Sequence, residues 1–86
     1  MKEFNYTINN AMGLHARPAG LMVKIIASHT DSVKIEFKGK VVDAKRLYQV
    51  LSLGVKTNEE IKVTVDGETE EETINEIRRM FETENL

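Results

Sequence analysis

The sequence contains no cysteine and no tryptophan, and it has one proline in 86 residues. Without thiols the chain cannot form a disulfide, a zinc–thiolate centre or an iron–sulfur cluster. No uninterrupted apolar run exceeds about three residues, whereas a membrane-spanning helix needs roughly 20. The first residues alternate polar and apolar side chains and lack the apolar centre of a signal peptide. These absences predict a cytoplasmic protein that does not insert into membranes.

The length predicts one domain spanning residues 1–86. Charge is unevenly spread: residues 1–58 hold nine Lys/Arg and four Asp/Glu, whereas residues 59–86 hold three and ten. The simplest interpretation is a solvated acidic helix at the C-terminal end. The alternative is that the basic part steers the protein toward an acidic partner. Nucleic acid is not a predicted partner, because the chain has four arginines, no basic run and no interleaved aromatics.

The hydrophobic pattern changes period along the chain. Segments with strand-like alternation lie at Phe4–Ile8, Val33–Phe37 and Ile61–Val65, with a shorter strand at Val41–Val42. Segments with helical spacing lie at Ala19–Ile26, Leu47–Leu51 and Ile74–Phe81. The predicted order is βαββαβα. Because each strand has one apolar face, we expect an α+β fold: an open-faced two-layer sandwich, with a four-stranded, mainly antiparallel sheet covered on one face by three helices.

The two histidines have different settings. His29 lies at the predicted end of the first helix, where we expect a surface turn residue that favours the charged form. His15 precedes Pro18, at the start of that helix. Unpaired backbone N–H groups at a helix start disfavour imidazolium and welcome an anion. We therefore expect a neutral His15 with one ring nitrogen free to act as a nucleophile.

Arg17 adds a guanidinium suited to phosphate. His15 and Arg17 together predict a nucleophile that accepts a phosphoryl group beside a cradle that holds it. The alternative is a histidine that only caps the helix, with a solvated arginine beside it. A metal site is not predicted, because no second histidine, cysteine or carboxylate lies close to His15 in sequence. No serine has the Gly-x-Ser-x-Gly context of a hydrolase triad.

The segment Gly13–Ala19 reads Gly-Leu-His-Ala-Arg-Pro-Ala, and Leu51–Val55 reads Leu-Ser-Leu-Gly-Val. With the chain length and element order, these motifs resemble the HPr family, the histidine-containing phosphocarriers of the bacterial sugar phosphotransferase system. The resemblance implies that His15 takes a phosphoryl group from phospho-enzyme I, on the ring nitrogen nearer the backbone. The group then passes to IIA domains of sugar permeases, with phosphoenolpyruvate as the ultimate donor.

The resemblance also implies a relay protein without turnover of its own, with no metal or organic cofactor. We expect a monomer. The expected phosphate cradle comprises Ala16, Arg17 and Pro18. The expected partner interface comprises Leu14, Gly20, Leu21, Lys24, Arg46, Leu47, Tyr48 and Leu51.

Three positions depart from the family pattern. Arg46 stands where many relatives from Gram-positive bacteria carry a serine that a regulatory kinase phosphorylates. Gly20 stands where alanine or threonine is frequent, and Met12 occupies the turn before the histidine. An alternative is therefore a regulatory HPr-like paralogue, or a nitrogen-branch phosphocarrier, that acts mainly by binding proteins.

Overall fold

The computed structural model describes all 86 residues and confirms the predicted βαββαβα order. The elements are β1 (Lys2–Thr7), α1 (Ala16–Ala27), β2 (Ser32–Phe37), β3 (Lys40–Asp43), α2 (Leu47–Leu51), β4 (Glu60–Asp66) and α3 (Glu70–Thr83). None of the helices is both long enough and apolar enough to cross a membrane.

The four strands form one antiparallel sheet in the order β1-β4-β2-β3. In β4 the alternating residues Ile61, Val63 and Val65 are fully buried, as their period-two spacing predicts. The opposite face is open and carries charges, including Lys62, whose Nζ lies 3.8 Å from Oε1 of Glu36. This face has no aromatic side chain of the kind that stacks on bases.

The helices cover the inner face of the sheet through apolar stripes. In α1 the buried positions are Ala19, Met22 and Ile26, which lie at the predicted helical spacing. In α3, Phe81 is fully buried and meets Phe4 and Tyr6 edge-to-face, with ring centroids 5.8 and 4.9 Å apart. The core therefore lies between one sheet face and three helices.

His29 lies in the turn after α1, where the sequence places it, but its side chain is only partly exposed. The side chain is 18% exposed, and its Nε2 lies 2.8 Å from Oε1 of Glu76. Its Nδ1 lies 3.1 Å from the hydroxyl of Thr73, which also donates to the buried Asp31. These polar partners, which the sequence did not indicate, come from α3, which packs over the turn.

Asp31 accepts further hydrogen bonds from the backbone N–H and the hydroxyl of Thr69, at 3.2 and 2.6 Å. These bonds from Thr69 and the one from Thr73 hold the pKa of Asp31 below its usual value, because they stabilise the charged carboxylate. The four residues His29, Asp31, Thr69 and Thr73, here called the Asp31 cluster, tie the turn after α1 to the start of α3.

Candidate functional site

The loop between β1 and α1 is pressed against residues 55–56. Gly13 has a φ of +71°, and a Cβ there would lie 2.5 Å from the carbonyl oxygen of Val55 and 2.9 Å from Cα of Lys56. The next N–H, that of Leu14, donates to the Val55 carbonyl at 2.9 Å. Only glycine fits this approach without moving backbone. The contact fixes where the chain enters α1.

Leu14 corrects part of the predicted interface. Its side chain is only 6% exposed and belongs to the hydrophobic core. The buried leucine anchors the loop from inside and presents little surface to a partner. Leu14 was expected in the partner interface, but its side chain packs into the core while its N–H is bonded to the Val55 carbonyl.

His15 is the N-cap residue of α1. Its backbone is extended, with φ −104° and ψ −177°, and its side chain makes no capping hydrogen bond. The first bond of the helix runs from the Ala19 N–H to the His15 carbonyl, at 3.0 Å. The N–H groups of Ala16 and Arg17 therefore lie ahead of the helical ladder, and Pro18 has none to leave unpaired. The histidine is half-buried at a helix start with free donors beside it.

An open cleft of about 560 Å³ lies in front of the helix start. Its lining residues are Asn10, Met12, His15, Arg17, Pro18, Leu21 and Glu84. Arg17 is exposed and takes part in none of the ion pairs of the structure, so its guanidinium can reach an incoming anion. The cleft thus brings the two predicted residues, His15 and Arg17, together.

Glu84 is a cleft residue that the sequence did not reveal. It follows α3 and is distant from His15 in sequence, although both residues line the same cleft. It belongs to the acidic C-terminal stretch for which the sequence predicts a solvated helix. No local motif marks it, because its place depends on where α3 ends against the β1–α1 loop. Its carboxylate is the one acidic group in the lining and lies opposite in charge to Arg17.

The two histidines are chemically distinct. Both ring nitrogens of His29 contact polar side chains of α3, so neither nitrogen is free to present a lone pair to solvent. His15 makes no capping bond and faces an open cleft. Nucleophilic attack requires a free nitrogen lone pair, and His15 is the histidine whose surroundings provide one.

The remaining predicted interface residues lie on α1 and α2, which pack against each other. On α1, Lys24 and Leu21 are exposed and Gly20 is half-buried. On α2, Tyr48 is 86% exposed, while Leu47 and Leu51 are half-buried. Val50 of the same helix is buried in the core. Six of the predicted contacts therefore lie on two neighbouring helices, and one of them, Leu21, also lines the cleft.

Arg46 is the N-cap residue of α2. Its backbone is extended, with φ −116° and ψ 105°, and its side chain makes no capping bond, as expected for a group without an acceptor. The side chain is 71% exposed, and its Nε lies 4.0 Å from Oδ2 of Asp43. Arg46 thus places a solvated positive charge at the start of α2. The structure contains no group of three or more His, Cys, Asp or Glu side chains that could hold a metal ion.

Comparison with known proteins identifies the family. Residues 2–83 match the family model described as "PTS HPr component phosphorylation site". The chain belongs to the HPr family of phosphocarriers. This match confirms the family that the motif at Gly13–Ala19 indicated.

Solved HPr structures share the fold. HPr-C-His from Thermoanaerobacter tengcongensis is 36% identical, with a TM-score of 0.91, and the match covers 96% of this chain and 93% of that chain. A histidine-containing phosphocarrier from Mycoplasma is 27% identical, with a TM-score of 0.95 and coverage of 99% and 97%. The α+β architecture with its four-stranded antiparallel sheet and three helices is therefore that of HPr.

A regulatory relative is also similar. Crh, the catabolite repression protein of Bacillus subtilis, is 32% identical, with a TM-score of 0.76 and coverage of 100% and 99%. That structure is described as a swapped-domain dimer. Because HPr and Crh proteins have the same fold, the role of this chain has to be argued from its own site residues.

Proposed function

We propose that this HPr-family protein accepts a phosphoryl group on His15 from phospho-enzyme I and passes it to IIA domains of sugar permeases, with residues 1–86 acting as one domain. The observation that carries the proposal is the position of His15 at the start of α1. Its side chain makes no capping bond and faces an open cleft that Arg17 also lines. A nucleophile and an anion-holding group lie side by side, and both are accessible.

The chemistry is the transfer of one phosphoryl group to a ring nitrogen of His15. The lone pair on Nδ1 of His15, the ring nitrogen nearer the backbone, attacks phosphorus while the bond between phosphorus and the donor atom of phospho-enzyme I breaks. The donor atom keeps the electron pair of that bond. The N–H groups of Ala16 and Arg17, together with the Arg17 guanidinium, stabilise charge on the phosphoryl oxygens. Phosphoryl transfer depends mainly on such positioning and electrostatic stabilisation.

A relay requires a moderate hold on the group. Interactions that bind the phosphorylated ground state as tightly as the transition state would not speed departure to the acceptor. The cleft is open, and the two charged residues in its lining are Arg17 and Glu84. Glu84 offsets part of the positive charge, which suits a group that must leave again.

A second candidate is a regulatory paralogue that acts by binding other proteins. Arg46 at the N-cap of α2 and the similarity to Crh favour it. The presence of His15 with its open cleft favours the carrier, because a module that only binds proteins has no use for an available nucleophile. We propose that the carrier acts as a monomer, although dimers occur among its relatives.

A two-step transfer assay separates the two candidates. The protein is incubated with phosphoenolpyruvate and catalytic enzyme I until labelling is complete, and a IIA domain is then added. A carrier gains one phosphoryl group and loses it to IIA as fast as a known HPr tested alongside. Labelling that is slow or that persists after IIA is added would instead support the regulatory paralogue. Size-exclusion chromatography of the same sample tests the monomer.

A further inference from the structure

The four methionines of the chain divide into two buried and two exposed residues. Met22 is fully buried in α1, and Met80 in α3 is only 6% exposed. Met1 is 75% exposed, and its amino group pairs with Glu70 at the start of α3 and with Asp66 at the end of β4. Met12 is 74% exposed and is the one methionine that lines the cleft containing His15.

The backbone around Met12 is fixed although its side chain is free. The Met12 N–H donates to Oδ1 of Asn10 at 2.9 Å, and the Gly13 N–H donates to the Asn10 carbonyl at 2.9 Å. This turn holds the Met12 backbone three residues before the nucleophile and leaves the thioether in solvent. The exposed thioether of Met12 is therefore open to an oxidant and lies in the same cleft as His15.

We infer that Met12 is an oxidation-sensitive contact: conversion of its thioether to the sulfoxide slows phosphoryl transfer through His15. The inference rests on the proposed carrier function. The reaction is an oxygen-atom transfer from a peroxide, in which hydrogen peroxide and the thioether give the sulfoxide and water. The sulfur loses two electrons, and the O–O bond is reduced and broken.

The composition of the chain and the burial of its other methionines favour oxidation at Met12. It has no cysteine and no tryptophan to compete for the oxidant, and the two core methionines are shielded. Exposure governs which methionine is oxidised, so Met12 and Met1 are the reactive pair. Met1 lies at the β1 end of the sheet, beside Asp66, and does not line the cleft. A lower rate of labelling after oxidation is therefore attributed to Met12.

Oxidation of Met12 changes a surface that a partner protein must cover to reach His15. Met12, Pro18 and Leu21 supply the apolar part of the cleft lining around His15. A protein that delivers a phosphoryl group to His15 has to exclude water from this lining. A sulfoxide turns the flexible apolar side chain into a polar, chiral one, and burial of its oxygen without a donor is unfavourable. Docking is therefore weaker, while the fold, in which Met12 takes little part, is unchanged.

The test uses the full chain and hydrogen peroxide as the probe. Parent and Met12→Leu are treated, peptide mass mapping records which methionines are oxidised, and the initial rate of labelling is measured with limiting phospho-enzyme I. We expect the parent rate to fall by roughly threefold or more and the treated Met12→Leu to keep its own untreated rate. Met12→Leu retains Met1, so it also controls for oxidation there.

Two further measurements complete the test. Met12→Gln, a polar side chain of similar length, should label slowly without peroxide, and methionine sulfoxide reductase should restore the oxidised parent. A parent that is fully oxidised at Met12 yet labels at its untreated rate overturns the inference, as does an equal loss of rate in treated Met12→Leu. If the untreated parent is not labelled at all, the carrier function itself has failed, and the inference fails with it.

Discussion

Whether a histidine of this chain can act as a nucleophile depends on what its ring nitrogens contact. Glu76 and Thr73 engage both nitrogens of His29, whereas His15 faces the cleft without a capping bond. Arg17 then supplies what the nucleophile lacks, a fixed positive charge with a planar array of donors. At the scale of single side chains, the proposed phosphoryl transfer depends on His15 and Arg17.

Substitution of Arg17 tests the phosphate cradle. Arg17→Glu should slow labelling by about tenfold or more, because a charge-assisted hydrogen bond is worth roughly 1.5–3 kcal/mol. Arg17→Lys should fall between parent and Arg17→Glu, since it keeps the charge and loses the planar fork. The folding free energy should stay within about 0.5 kcal/mol, because the side chain is exposed. Rapid-quench labelling and urea denaturation measure the two effects.

Lys34→Glu is the matched control for that experiment. It makes the same change in net charge on the open face of the sheet, in register with Thr64 of β4 and away from the cleft. Equal loss of rate in Arg17→Glu and Lys34→Glu would mean that net charge alone matters, and the cradle assigned to Arg17 would be wrong.

At the scale of elements, α1 and α2 provide the outer surface beside the cleft. Both begin at an extended residue whose side chain makes no capping bond, His15 for α1 and Arg46 for α2. In α1 the absence of a capping bond leaves the side chain of His15 free. In α2 the N-cap position holds a solvated guanidinium and no side-chain oxygen that could stabilise the helix. Both helix starts therefore lack the stabilisation of a capping bond and expose a charged or reactive side chain.

Gly20, inside α1, also lowers the stability of this helix. A Cβ added at Gly20 meets no atom within 4 Å, and the residue lies inside the helix. Gly20→Ala should therefore stabilise the protein by about 0.5–1 kcal/mol, because alanine loses less backbone freedom on folding. Urea denaturation of the two proteins decides it. A less stable Gly20→Ala would show that the space beside this helix is smaller than described.

Arg46 should assist docking of an acidic partner. Arg46→Glu reverses the charge at an exposed helix start, so labelling by phospho-enzyme I should slow. The difference should be largest at low salt, because charges are screened over about 10 Å at 0.1 M ionic strength. Rates measured across a salt series provide the test, with Lys34→Glu again as the control. A rate for Arg46→Glu equal to that of the parent at every salt concentration contradicts this role.

At the scale of the whole molecule, the sheet and the Asp31 cluster hold the helices in place. The central strand β4 pairs with β1 and β2, and the Asp31 cluster joins the turn after α1 to the start of α3. The Lys45 Nζ also donates to the His29 carbonyl at 2.8 Å, which ties the loop before α2 to the same turn. Three helices are thus positioned through one polar region away from the cleft.

The cluster makes stability depend on pH in acid. Because the pKa of Asp31 is lowered in the folded state, its contribution is complete above the unfolded carboxyl pKa, about 3.9, and is lost as pH falls through the lower folded pKa. Thr73→Val removes one donor, so the stability gap between parent and variant should shrink between about pH 5 and about pH 2.5. Urea denaturation across this range measures the gap.

Thr73→Ser keeps the hydroxyl and serves as the control. Its gap from the parent should stay nearly constant over the same range, because Asp31 retains its donor. A gap for Thr73→Val that does not change with pH would show that Thr73 acts on stability by packing alone.

Most of the fold follows from hydrophobic period and can be predicted from the sequence. The alternation in β4 and the stripe of α1 correctly indicate buried residues such as Val63 and Met22. His15 and Arg17, separated by Ala16, are found by motif. The inward turn of Leu14, the partners of His29 and the place of Glu84 depend on contacts between distant segments. Period and local motifs carry no information about such contacts.

The most direct test locates the phosphoryl group. Parent, His15→Ala and His29→Gln are incubated with phosphoenolpyruvate and enzyme I, and intact mass is measured at basic and acid pH. Parent and His29→Gln should each gain the mass of one phosphoryl group, stable in base and lost in acid as a phosphoramidate is, while His15→Ala should gain none. Labelling that persists in His15→Ala, or that disappears in a folded His29→Gln, would contradict the assignment of His15 as the nucleophile.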